Sequence, residues 1–150
     1  MREQFTTALK DAMKAGDKRR ISTIRLITAA LKDRDIEARG AGKEQLGEDE
    51  ILGLLQKMIK QRQESLKIYQ DAGRAELADQ EQGEIEVITS FLPQQMDEAE
   101  VSAAIDAAVA ETGAAGLRDM GKVMAALKER YAGRMDFGKA SAAIKAKLQG

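Results

Sequence analysis

In 150 residues there is one proline, Pro93, and on both sides of it apolar residues return at intervals of three and four. That pattern admits helices nearly everywhere and little else, because half-buried strands alternate apolar and polar residues and are punctuated by turn residues. Pro93 has no amide hydrogen to donate and disfavours helical geometry at Leu92. The chain therefore reads as all-α with two helical subdomains. Four helices are expected in an N-terminal subdomain over 1–92, and three in a C-terminal subdomain over 97–150, with a linker at 93–96.

The expected elements follow from apolar stripes and caps. Phe5, Leu9, Ala12 and Met13 share a face of a first helix that stops near Gly16. Asp17 is a good cap for a second helix, which repeats Ile21, Ile24, Ile27 and Leu31 and ends around Ala38. Gly40, Gly42 and Gly47 make 40–47 a flexible loop, since glycine is entropically costly in a helix. A third helix, about 48–72, opens with Glu48, Asp49 and Glu50, which suit the positive end of the helix dipole. Its stripe runs Ile51, Leu55, Met58, Arg62, Ser65 and Tyr69, with Gly73 as cap. A fourth, about 75–91, carries Leu77, Ile85, Ile88 and Phe91.

Beyond the proline, Asp97 and Glu100 have the spacing of a capping box for a helix over 98–111 that ends at Gly113. A sixth helix, about 117–131, uses Met120, Val123, Met124, Leu127 and Tyr131 and is terminated by Gly133. Asp136 caps a seventh, which uses Phe137, Ser141, Ile144 and Leu148.

There is no histidine and no cysteine. Disulfides, thiolate and imidazole metal sites, and catalysis by Cys or by a His base are thereby excluded. No metal or cofactor is expected. The formal net charge is −1, but the charges are segregated. Residues 10–34 hold eight Lys/Arg against three Asp/Glu, residues 118–147 again eight against three, and 97–111 five acids and no base. Basic faces on a near-neutral molecule are one reading, and ordinary solvated helix surface is the other. No apolar run approaches the roughly 20 residues that span a bilayer. Residues 1–5 lack the apolar core of a signal peptide, so the cytoplasm is the expected compartment.

Three patterns could carry chemistry. Gly116 to Val123 nearly matches the phosphate-binding loop, but Val123 replaces the required hydroxyl and Asp119 would sit where phosphates should go. The alternative is a loop entering helix six, with Gly121 permitting close helix contact and Val123 and Met124 facing the core. Glu81, Glu84 and Glu86 could hold a divalent metal, or could solvate the surface and pair with bases. Arg62 interrupts an apolar stripe, and a buried arginine requires a partner, for which Glu84 is the candidate. Finally, Arg118, Lys122, Lys128, Arg130, Arg134 and Lys139 form a basic set on the last two helices. Arg118 and Lys122 are four apart and so share a helical face. Arg130, Arg134 and Lys139 gather at a turn where Gly133 would let a phosphate backbone approach. Structured RNA is often recognised by shape through such contacts.

Lys57-Met-Ile-Lys-Gln-Arg-Gln-Glu-Ser65, Phe91-Leu-Pro-Gln-Gln95, and Asp119-Met-Gly-Lys-Val-Met124 followed by Gly133-Arg-Met-Asp136 resemble, in order and over nearly the whole chain, the stand-alone YqeY-like proteins of the GatB/YqeY family. The resemblance implies an all-helical fold similar to the tail of the B subunit of glutamine-dependent aminoacyl-tRNA amidotransferase. That tail helps hold misacylated tRNA while other parts perform the carbon–nitrogen ligation. The expectation is thus a non-catalytic accessory module that binds tRNA or a tRNA–enzyme complex, and neither DNA nor membrane. Lys122 and Arg134 lead as RNA contacts. The alternative is a helical protein-interaction module without RNA binding.

Overall fold

The computed structural model describes residues 1–149. Among them are seven α-helices, one 3₁₀ turn and no strand. The helices are α1 (Arg2–Ala15), α2 (Lys18–Gly40), α3 (Glu48–Asp71), α4 (Ala75–Thr89), α5 (Glu98–Thr112), α6 (Met120–Tyr131) and α7 (Phe137–Gln149). The chain divides into two compact units, residues 1–92 and the remainder from Pro93.

In the first unit, α4 packs on α3 and α2, and α1 packs on α2. Their shared core contains Phe5, Ile27, Leu31, Ile51, Leu55 and Ile88. Phe5 meets Phe91 edge to face, with ring centroids 5.0 Å apart. The α1–α2 turn forms as its residues dictate. Gly16 adopts a left-handed φ of 69°, and the Asp17 carboxylate accepts the Arg20 amide at 3.1 Å. Thr23 is fully buried and donates its hydroxyl to the Arg19 carbonyl at 2.8 Å.

A staple that periodicity does not reveal ties the end of the 41–47 loop. The Arg2 guanidinium donates to both Asp35 oxygens, at 2.7 and 2.9 Å, and to the Leu46 carbonyl at 2.9 Å. Asp35 in turn accepts the Leu46 amide at 3.0 Å. Two apolar residues depart from expectation: Met13 is 54% exposed and Leu77 43%. Both lie at helix ends, in the last turn of α1 and the first of α4. The apolar period gives a residue's face but not whether a neighbour reaches it, and Ala12 and Ala78 take the buried places.

In the second unit, α6 packs on both α5 and α7 over Ile105, Ala108, Val123, Leu127, Met135 and Ile144. The capping box closes as its spacing predicts, with Asp97 accepting the Glu100 amide at 2.7 Å and Glu100 the Asp97 amide at 3.2 Å. The Asp136 carboxylate accepts the amides of Gly138 and Lys139 at 2.9 and 3.2 Å and so caps α7. Helix six starts later than expected. Residues Leu117–Asp119 form a 3₁₀ turn before α6, because the Asp119 carboxylate turns back to accept the Ala115 amide at 3.0 Å. Residues 94–96 are stitched to the turn after α6. The Met96 amide donates to the Arg134 carbonyl at 3.0 Å, Gln95 donates to the Gly133 carbonyl at 2.6 Å, and Arg134 Nε donates to the Gln94 carbonyl at 3.0 Å.

Candidate nucleic-acid interface

The six basic residues singled out on the last two helices occupy distinct places. Arg118 lies in the 3₁₀ turn and Lys122 in α6, so their spacing of four is not that of one continuous helix. Both are exposed, and Lys122 lies 3.9 Å from Asp119 with its side chain 70% accessible. On α6, at about 100° per residue, Val123 and Leu127 mark the buried face and Lys122 points away from it. Lys128 points as far away on the other side, whereas Arg130, seven residues after Val123, lies beside that face. Arg130 is ion-paired with Glu111 of α5, whereas among the described residues Lys128 has no acid within ion-pair distance.

Arg134 and Lys139 are brought together. They border a groove of about 460 Å³ between α5 and α7, over Met96, Val101 and Ile105. Arg134 is committed locally, since its Nε donates to the Gln94 carbonyl and its guanidinium lies over the Tyr131 ring, 5.8 Å from the centroid. Lys139 is exposed, and among the described residues no acid comes within ion-pair distance of its side chain. Lys147 pairs with Asp106 beside the same groove.

Gly133 and Gly121 play roles other than those expected. Gly133 has a φ of 76°, is buried, and gives its carbonyl to Gln95, so its backbone is not open to a phosphate. Gly121 has open space where a Cβ would be, so it serves no close helix contact. Val123 is fully buried and Met124 partly so.

The stretch resembling a phosphate loop is filled by the chain itself. The Asp119 carboxylate takes the Ala115 amide, the kind of donor a phosphate would need. That bond above all, then Lys122 and Arg118, holds its carboxyl below the usual range. An acid inside the motif was the signal for this, because a short acidic side chain satisfies turn amides locally.

The glutamates of α4 do not converge. Glu84 approaches Arg62 Nε at 3.6 Å, the partnership expected for a mostly buried arginine, and Arg62 also donates to the Met58 carbonyl at 3.1 Å. Burial, and next the charge of Glu84, raises the Glu81 carboxyl. Glu86 is exposed and accepts from Gln82 at 3.4 Å. No group of three or more metal-ligating side chains is found among the described residues, and no helix there is long and apolar enough to cross a membrane.

A family model described as Yqey-like protein matches residues 2–148. Among curated proteins, the chain is 35% identical over 99 residues to "Altered inheritance of mitochondria protein 41, mitochondrial" of Lachancea thermotolerans, covering 65% of this chain and 51% of that protein. The protein of the same name from Vanderwaltozyma polyspora is 31% identical over 96 residues, covering 59% and 50%. That of Saccharomyces cerevisiae is 31% identical over 98 residues, covering 65% and 49%. The chain spans about half the length of the curated relatives it matches.

Proposed function

This chain belongs to the YqeY-like family, and from that premise we propose that it is a non-catalytic accessory module that contacts tRNA, or a tRNA–enzyme complex, through its C-terminal unit. The observation that carries this reading is the set of cations left available on that unit. Among the described residues, Arg118, Lys128 and Lys139 are exposed with no acid within ion-pair distance, and Lys122 pairs only with Asp119, at 3.9 Å. A side chain already paired within the protein gives little to a phosphate; these four keep their charge for one. Arg130 and Arg134 are the weaker contacts, because Glu111 and the Gln94 carbonyl already engage them. The association with glutamine-dependent carbon–nitrogen ligation enters through the related amidotransferase tail, and this chain contributes binding to it rather than chemistry. The cytoplasm, expected here, and the mitochondrion, which the yeast relatives' names print, both contain tRNA.

The test is a titration of the protein with unmodified tRNA at several salt concentrations, with duplex DNA of equal charge as control. The reading expects tighter binding to tRNA that weakens steeply with salt. Changing Arg118, Lys122, Lys128 and Lys139 to glutamine flattens the slope of log affinity against log salt, by up to about 0.9 per phosphate contact removed. Equal affinity for DNA, or a quadruple variant indistinguishable from the parent, would sink it.

The groove between α5 and α7 favours a second reading, a protein-interaction module. Met96 and Met135 line it, and methionine adapts to varied apolar partners. A specific partner that co-purifies after nuclease treatment and moderate salt, together with absent tRNA binding, would replace the RNA reading with this one.

A further inference from the structure

Five of the eight bases of residues 10–34, all on α2, divide into two kinds once the chain is folded. Arg19 lies against Gly83 and pairs with Asp79 at 3.5 Å, and Arg20 lies over the Phe91 ring, 5.5 Å from its centroid. These two hold α2 to the rest of the first unit. Lys18, Arg25 and Lys32 are exposed, and among the described residues no acid comes within ion-pair distance of them. Arg39, just beyond that stretch, is also exposed and donates only Nε, to the Glu44 carbonyl at 3.2 Å.

Lys18, Arg25, Lys32 and Arg39 recur at every seventh residue of one α-helix. Seven residues make almost two turns, so the four stand in one row, about 10 Å apart and about 31 Å from end to end. Ser22, Ala29 and Ile36 lie along the same row; Asp35 borders its C-terminal end, four residues before Arg39, with its carboxylate already engaged by Arg2. Asp33 and Glu37 sit about a quarter turn or more round the helix. Ile24, Ile27 and Leu31, on the far side, are buried in the core, so the row faces solvent.

We infer that this row is a second phosphate-contacting surface, in the N-terminal unit, for structured RNA; the inference rests on the RNA reading above and extends it. Cations about 10 Å apart act as separate contacts, so each can neutralise a phosphate of its own. The row carries no aromatic or amide side chain with which to read bases. It therefore follows the backbone and shape of the RNA rather than its sequence. An anionic membrane would also attract the row, but a helix lying on a membrane must insert its apolar face. That face of α2 is occupied by the protein's own core.

The experiment uses the full chain with Lys18, Arg25 and Lys32 changed to glutamine, titrated with unmodified tRNA across a salt series. Circular dichroism checks the fold, and a variant exchanging Lys for Arg and Arg for Lys at the same positions retains the charge. The glutamine variant is expected to bind roughly ten-fold or more weakly at low salt, with a slope shallower by about 2–3, and the charge-retaining variant to bind like the parent. Unchanged affinity and slope in the glutamine variant overturn the inference. If at the same time the quadruple C-terminal variant is weakened, the RNA reading survives without this row. If only the α2 variant is weakened, the row stands and the C-terminal placement falls. A parent protein that does not prefer tRNA over duplex DNA ends both. Tighter binding to phosphatidylserine vesicles than to tRNA assigns the row to a membrane surface instead.

Discussion

Asp35 carries more of the first unit than its position on a charged helix indicates. Two Arg2 hydrogen bonds, next the Leu46 amide, lower its carboxyl from 3.8 to about 2. Its contribution is complete above the unfolded value and is lost as pH falls from about 3.8 towards about 2. We expect Asp35→Asn to cost roughly 1–3 kcal/mol near neutral pH in urea unfolding, and to flatten the stability–pH curve across that acid window. Glu81 has the opposite sign. Its carboxyl is raised, mainly by burial, so its contribution is fullest below 4.5 and declines as pH rises through the folded value. The Arg62–Glu84 pair supplies a third test. Arg62 Nε is buried without a hydrogen bond, and Glu84 is its nearest compensating charge. Glu84→Ala should therefore destabilise more than the double replacement Arg62→Met/Glu84→Leu, because the single change leaves a buried charge with only Glu81, beyond ion-pair distance, to oppose it. Equal losses in a thermal melt would refute that account. The Arg62–Glu84 partnership was legible, since a charge in an apolar stripe demands an opposite one. The Arg2–Asp35 pair joins two surface-type residues 33 apart and gives no such signal.

At the scale of elements, caps and apolar periods located the seven helices, and Asp17, Asp97 and Asp136 cap as expected because a cap is satisfied within three residues. The ends of helices are where expectation and structure part. Helix six loses its first turn to a 3₁₀ segment, since Asp119 satisfies a backbone amide before the regular helix begins. Gly121 then sits inside α6 facing open space, so Gly121→Ala should stabilise by about 0.5–1 kcal/mol and leave tRNA affinity unchanged. A lower melting temperature would mean that its bare Cα is needed after all. Gly133 is the contrasting case. Its left-handed φ of 76° would strain any Cβ, so Gly133→Ala should cost about 1–2 kcal/mol.

For the molecule as a whole, net charge is a poor guide. A chain at −1 carries cations on α2, α6 and α7 with no ion pair among the described residues, while α5 and its cap open with three acids at Asp97, Glu98 and Glu100. The proposed reading predicts an affinity for tRNA that falls steeply between 50 and 200 mM salt despite that balance, because counterion release follows local phosphate contacts rather than the total charge; a flat salt response would exclude phosphate contacts on either unit. By itself the sequence determined the all-helical class, the number of helices, most caps and the family, because each depends on short-range spacing or on motifs read in order. Which cations are free was decided only in three dimensions. Arg19, Arg20 and Arg130 look no different along the chain from Lys18, Arg25 and Lys128, yet the first three meet Asp79, the Phe91 ring and Glu111. Helical period states the direction a side chain takes, but whether it ends in water or against a partner depends on which other helix the tertiary fold brings alongside.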